Sequence, residues 1–135
     1  MNKGQRMIEC SVGVMAYNEE KNIARCLESI LSQKLEKVKI SQIFVIASGC
    51  SDLTIPIVKR FSKTDKRIKL LVQRRREGKS SAVNLFLKHT RSKIVVCAGA
   101  DTIPQDDVID KLVSPFVDPK IGMTGSHPIP IDSPN

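Results

Sequence analysis

The sequence predicts an α/β fold, a mostly parallel sheet with helices on both faces. Two observations carry that expectation. Short apolar runs alternate in order with stretches whose apolar residues recur at three- and four-residue spacing. Such alternation builds a parallel sheet through right-handed crossovers. Three of the apolar runs also end in a short polar break: Ala16-Tyr17-Asn18-Glu19-Glu20, Ala47-Ser48-Gly49-Cys50-Ser51-Asp52 and Gly99-Ala100-Asp101-Thr102. In an open α/β sheet, ligands bind beyond the carboxyl ends of the strands. Three polar loops at three such ends describe one site.

The elements follow in order. Residues 8–15 read as a first strand. Asn18 or Glu19 then opens a helix to about Gln33, with Ile23, Leu27, Ile30 and Leu31 in one stripe. Residues 40–47 form a second strand. Ser51-Asp52 starts a second helix with Ile57, Val58 and Phe61 inward, and Pro56 falls near its first turn, where a missing N–H costs least. Residues 67–73 are a third strand. Lys79 to about Thr90 is a third helix, with Ala82, Val83, Phe86 and Leu87 inward. Residues 93–98 are a fourth strand. Pro104 opens a further helix carrying Val108, Ile109, Leu112 and Val113, and residues 120–124 make a short fifth strand. The Pro-rich stretch 127–135 reads as a loop leading onward.

A chain of 135 residues, 41% hydrophobic and 27% charged, suits one soluble domain. No apolar stretch approaches the roughly 20 residues of a membrane span, and the start of the chain reads as strand rather than signal peptide. Cys10, Cys26, Cys50 and Cys97 form no C-x-x-C pair and have no nearby His, so zinc is not expected and a reducing cytosol fits. Cys10 and Cys97 read as small apolar fillers of strands. Cys50 lies in a site loop, as filler or as a reactive thiol. The net charge of +8 is either a solvated basic surface or an attraction to polyanions such as nucleotide diphosphates, anionic headgroups or nucleic acid. Its densest run, Arg74-Arg75-Arg76 with Lys79 beyond, follows the third strand and so lies on the edge with the other loops.

The loops limit the chemistry. The first carries neither G-x-G-x-x-G nor a phosphate-binding G-K-[ST], and Gly78-Lys79-Ser80 lacks the glycine a Walker loop needs at Gln73. Tyr17 offers a face for a base to stack on, or else packs the helix entry. Asn18, Ser51 and Asp52 suit helix capping, and Glu19 and Glu20 suit the positive end of a helix. Asp101 follows a strand directly. Alone it reads as a helix cap, but beside the other two loops it reads as a carboxylate for a hard divalent cation that bridges a pyrophosphate.

Four ordered segments, V-G-V-M-A-Y-N-E-E-K-N-I, I-A-S-G-C-S-D-L-T, E-G-K-S-S-A-V-N and G-A-D-T-I-P, resemble family 2 of the inverting glycosyltransferases. The resemblance covers nearly the whole chain. It implies a GT-A, Rossmann-like nucleotide-sugar-binding fold, with residues 1–135 as the donor-binding portion. Ala16, Tyr17 and Glu19 would line the base pocket. Ser48 occupies the place of an Asp that meets uracil or ribose, Lys79 would lie near base and diphosphate, and Asp101 matches the last acid of the D-x-D metal motif for Mg²⁺ or Mn²⁺. The partners implied are a nucleotide-diphosphate sugar donor and an acceptor of undefined class, a glycan, lipid or protein. A cytoplasmic setting follows, with peripheral association at the membrane face left open.

Three positions depart from the family pattern. Met15 replaces the Pro before A-Y-N, Ala47-Ser48 replaces a pair of acids, and Gly99 replaces the first acid of D-x-D. The second weakens any preference for uracil, and the third leaves one metal carboxylate. The family's general base is expected beyond Asn135, so no catalytic residue is assigned within the chain. Two other readings remain in view. A sugar-nucleotide pyrophosphorylase would need a Gly-rich first loop, which is absent. A basic nucleic-acid-binding module would need interleaved aromatics, and aromatics make up 4% of the chain.

Overall fold

β1 (Ile8–Ala16) is the strand around which the sheet is built. In the computed structural model, which describes residues 6–126, it is paired on both sides. The elements that follow are α1 (Ile23–Leu31), β2 (Val38–Ser48), α2 (Thr54–Thr64), β3 (Ile68–Gln73), α3 (Lys79–His89), β4 (Ile94–Gly99) and α4 (Val108–Val113), with a 3₁₀ turn at Ser114–Val117. The four strands lie in the order β3-β2-β1-β4, and every pairing is parallel. The α/β expectation holds, with element ends shifted by a few residues.

Strict alternation divides β1 between two cores. Cys10, Val12, Val14 and Ala16 join Ile43 and Val45 of β2 under α1, α2 and α4, where Ile23, Leu27, Ile30, Val58, Ile109 and Val113 are buried. The opposite face is thinner. Phe44 and Ile46 meet Ala82 and Phe86 of α3 there. Both faces of β1 and β2 are covered, which is why these strands read as continuous apolar runs. Burial pushes the Cys10 thiol up to about 11, and the same cause raises Cys26 to about 11, so both behave as apolar filler. Cys97, expected to be filler as well, is exposed: on β4 the α3 cluster takes in Val95 and not Cys97.

Three expectations need correction. α1 opens at Ile23, not at Asn18 or Glu19, because residues 18–20 are held in a loop by bonds to the segment after β2. Leu87 is 47% exposed, while Leu85 packs toward the sheet. The face set by Ala82 and Phe86 continues through Leu85, three residues from Ala82, and leaves Leu87 a third of a turn away. No strand forms at 120–124. A turn closed by Asp118, which accepts from the Lys120 amide at 2.9 Å, breaks the run. Beyond it the Thr124 hydroxyl donates to the Leu112 carbonyl of α4 at 2.7 Å. The stretch 127–135 lies outside the described residues.

Gly13 fixes how closely α3 can approach. A Cβ built on it would stand 2.5 Å from the Phe86 ring, which is fully buried against Phe44. We expect Gly13→Ala to destabilise the fold by about 1–3 kcal/mol through overpacking, read as a lowered midpoint in thermal or urea unfolding. Adding Phe86→Leu should recover part of the loss. Strictly additive destabilisation in that double-mutant cycle would contradict the contact.

Candidate functional site at the carboxyl edge of the sheet

The ends of β1, β2 and β4 and the start of α3 meet around one cavity of about 280 Å³. Ala16, Tyr17, Glu19, Ser48, Lys79 and Asp101, all singled out from the sequence, line it. Arg76, Gly78 and Ala100 line it as well. Of the Arg74–Arg76 run, only Arg76 reaches the cavity wall, with its guanidinium carbon 4.1 Å from the Tyr17 ring centroid. Tyr17 is 42% exposed, so it is a wall of the cavity and not a buried helix-entry aromatic. In this state the Arg76 cation covers one face of the ring, the geometry of a cation–π contact.

The first two loops are laced to each other. Asn18, at a positive φ of 47°, turns its Oδ1 toward the amides of Ser51 at 2.8 Å and Asp52 at 3.3 Å. The Glu19 amide donates to Thr54 Oγ1 at 2.8 Å, and the Glu20 amide to Asp52 Oδ2 at 3.1 Å. Glu20 returns the bond by accepting from the Leu53 amide at 3.2 Å. The Cys50 thiol closes the set: Sγ accepts from the Asn18 amide at 3.4 Å and lies 3.5 Å from the Ala16 carbonyl. Asn18 and Glu20 therefore bind the second loop, where capping of their own helix was expected. Asp52 holds the entry to α2 through the amide of Thr54 at 2.9 Å. Helix-capping residue types account for this pattern only in part, because the chain separation of the partners is invisible in sequence.

The loop after β3, residues 74–78, is stitched on from the other side. Ser48 is buried, its hydroxyl donating to the Arg75 carbonyl at 3.4 Å and accepting from the Glu77 amide at 3.3 Å. Gly49 has φ 64° and donates to the Gln73 carbonyl at 2.9 Å. A Cβ there would stand 2.6 Å from the Arg76 nitrogen, so only glycine allows the two loops to close. Gly78, at φ 93°, leads into α3 and sets Lys79 at its first turn beside the cavity. The free N–H groups of that turn give the wall a positive end.

Asp101 sits at the tip after β4. The tip is shaped by the Ala100 amide bonding to the Met15 carbonyl at 3.0 Å and by Thr102, whose amide and hydroxyl both reach the Gly99 carbonyl. α4 begins after Asp107, so Asp101 caps no helix. A Cβ on Gly99 would stand 2.7 Å from Asp101 Oδ1. The lone carboxylate thus occupies the space that a first acid of D-x-D would need. Among the described residues it has no ion-pair partner, and no group of three His, Cys, Asp or Glu side chains forms a self-sufficient metal cage. A single free hard-oxygen donor suits Mg²⁺ or Mn²⁺ where phosphates complete the coordination.

A parallel sheet with a polar cleft at its carboxyl edge defines the class, a Rossmann-like α/β domain, and the glycosyltransferase neighbours described below make it one of GT-A type. Comparison with known proteins agrees. Residues 11–135 match the family model for glycosyl transferase family 2, and the chain belongs to that family. It is 35% identical over 104 residues to an uncharacterized glycosyltransferase of Haemophilus influenzae, covering 77% of this chain and 31% of that protein. It is 32% identical over 113 residues to the poly-beta-1,6-N-acetyl-D-glucosamine synthase of Staphylococcus aureus, covering 83% of this chain and 26% of that protein. Among solved structures, the mannosyltransferase PcManGT of Pyrobaculum calidifontis, in complex with GDP-Man and Mn²⁺, superposes with a TM-score of 0.74 at 30% identity. That match covers 84% of this chain and 33% of PcManGT. S. aureus TarS shares the fold at 23% identity, with a TM-score of 0.70. The chain therefore spans about a third or less of the length of these relatives. Among the described residues, no helix is long and apolar enough to cross a membrane.

The lacing has a pH signature. Burial pushes the Asp52 carboxyl up, but bonds from the Thr54 hydroxyl, the Thr54 amide and the Glu20 amide outweigh it and hold the group below its ordinary 3.8. A depressed carboxylate stabilises the loop above the ordinary value, and that contribution is lost as pH falls through the depressed one. We expect the Glu20 and Thr54 amide resonances to titrate together with a midpoint under 3.8, and Asp52→Asn to abolish that titration. A midpoint at or above 3.8 would contradict these bonds.

Proposed function

We propose that this chain is the donor-binding portion of a metal-assisted, inverting glycosyltransferase acting on a nucleoside-diphosphate sugar. The observation that carries the reading is the convergence of Tyr17, Lys79 and Asp101 on one cavity at the carboxyl edge of the sheet. The GDP-Man and Mn²⁺ in the PcManGT complex support it as the nearest chemical precedent among the comparisons reported above.

Each residue then has a role. The Tyr17 ring stacks the base, with Ala16 and Glu19 shaping the pocket beside it. Glu19 is steadied by the Asn22 amide, which donates to its Oε2 at 2.9 Å. Ser48 lies toward base and ribose. With its hydroxyl committed to the loop after β3, it offers no carboxylate to read uracil. Lys79 and the free N–H groups at the start of α3 meet the diphosphate and the negative charge that grows on it as the sugar leaves. Asp101 would hold Mg²⁺ or Mn²⁺, which supplies Lewis-acid stabilisation of the departing diphosphate. Inversion follows from a single displacement, the acceptor oxygen attacking the anomeric carbon opposite the diphosphate. The base that takes its proton and the acceptor pocket belong to sequence outside this chain.

Calorimetry with GDP and UDP, with and without Mn²⁺, tests the donor site. We expect tighter binding with the cation, and loss of that increment alone in Asp101→Asn. Tyr17→Ala should weaken binding by about 1–3 kcal/mol, the worth of a stacking platform. Equal affinity with and without metal for both nucleotides would sink the metal role. A Tyr17→Ala chain that melts earlier yet binds normally would reduce Tyr17 to packing.

The division between donor and acceptor portions has its own test. General-base help is worth about 10² to 10⁴ in rate, and lost acceptor positioning adds to that. The 135-residue chain should therefore transfer no sugar across a panel of donors and acceptors, with slow donor hydrolysis at most. Transfer at the rate of a protein of the relatives' full length would place the missing machinery within this chain.

A further inference from the structure

The larger cavity lies at the opposite, amino-terminal edge of the sheet. It measures about 410 Å³ and is lined by Glu9, Ser41, Gln42, Lys66, Arg67, Lys69, Arg91 and Ser92. We propose that this cavity binds a phosphoryl group carried on a small polyol, as a free phosphate ester or as the headgroup of an anionic lipid.

Charge is the first argument. Four cations face one carboxylate on the cavity wall. Arg67 is pinned: Asp65 takes its Nη2 at 2.7 Å and its Nε at 3.0 Å, and its Nη1 donates to the Ile40 carbonyl at 3.2 Å. Lys66, Lys69 and Arg91 have no ion-pair partner among the described residues. Three unengaged cations around one concavity repel one another, and an anion relieves that repulsion. Glu9 is drawn toward Lys39, outside the cavity, at 4.0 Å and offers an acceptor for a hydroxyl.

The second argument is a built donor. The β1–β2 register slips between Cys10 and Ser11, which pair with Ile40 and Gln42 and leave Ser41 unmatched. A bulge of this kind re-aims the side chains beside it. Gln42 Oε1 accepts from the Arg91 amide at 2.9 Å and from the Ser11 hydroxyl at 3.1 Å, with Ser92 Oγ 2.9 Å from Ser11 Oγ. A backbone N–H can only donate, so the oxygen of the Gln42 amide must face Arg91. Its NH₂ then points the other way and has no protein partner among the described residues. The Ser41 hydroxyl is buried beside it, also without a partner. Fixed donors and free cations in one concavity are what an oxyanion requires. The volume exceeds that of a bare phosphate several times over, which is why the ligand carries a further polar body.

The test titrates the isotope-labelled chain with glycerol 3-phosphate, and separately measures its sedimentation with phosphatidylglycerol vesicles against phosphatidylcholine vesicles. We expect saturable binding in at least one arm, with shifts at residues 41–42, 66–69 and 91–92. Binding of glycerol 3-phosphate assigns a soluble ester. Binding of phosphatidylglycerol vesicles alone assigns a headgroup. Gln42→Glu keeps the oxygen that Arg91 needs but replaces the free donors with negative charge. It should weaken binding about tenfold or more, in proportion to a lost charge-assisted hydrogen bond, without lowering the unfolding midpoint. Lys69→Glu with Arg91→Glu should do the same from the rim. Saturable binding in neither arm, shifts confined to residues 74–79, or affinity untouched by both variants would overturn the proposal.

Discussion

The hydrogen bonds between residues 16–20 and 50–54 hold the carboxyl edge of the sheet in its working shape. Without them, the loops after β1 and β2 would be separate polar segments, each free to cap its own helix. With them, Asn18 is forced to a positive φ and α1 starts late. The chain around Tyr17 then leaves β1 at a fixed angle. The exchange is reciprocal: Glu20 and Asp52 each donate or accept across the gap, so neither loop can shift alone. The Cys50 sulfur takes part at both the Ala16 carbonyl and the Asn18 amide and so helps to hold the loop.

That constraint passes to the loop after β3 through Ser48 and Gly49. The Ser48 hydroxyl and the Gly49 amide, one residue apart, tie down the Arg75 carbonyl and the Gln73 carbonyl. Arg76 is thereby placed over Tyr17 while Arg74 and Arg75 are not. A serine here brings no carboxylate to the cavity and fixes the loop after β3. The same substitution that departs from the family pattern therefore builds the wall on the Tyr17 side.

The parallel sheet, the buried runs of β1 and β2, and the polar breaks at the strand ends were legible in the sequence, each from a local signal: alternation, helical spacing, or polarity at the end of an apolar run. The set Ala16, Tyr17, Glu19, Ser48, Lys79 and Asp101 came from the family resemblance, and all six line the cavity. The strand order came from the structure alone. What was not legible depends on partners far apart in the chain. The late start of α1 depends on Thr54 and Asp52, and the exposure of Leu87 depends on the seat of Phe86 over Gly13. The missing strand at 120–124 follows from a turn at Asp118 and from Thr124 finding a helix carbonyl. The cavity at the amino edge gave no signal at all. Lys66, Arg67 and Lys69 are close in sequence, but only the fold brings them together with Arg91 and with the bulge at Ser41.

Gly99 shows how a departure from a motif can be compensated in place. Removing the first acid of D-x-D removes one oxygen ligand but also removes a side chain from the strand tip. The Asp101 carboxylate moves into that space, standing 2.7 Å from where the Cβ would be. Restoring an acid at position 99 would therefore not simply add a ligand. The new Cβ would turn Asp101 Oδ1, the free end of a rotatable side chain, out of its present position, and two carboxylates at close range would repel. A cation at this site would draw most of its remaining ligands from the diphosphate. Its affinity should then be tied to the nucleotide's, and the site would be loaded by the donor rather than before it.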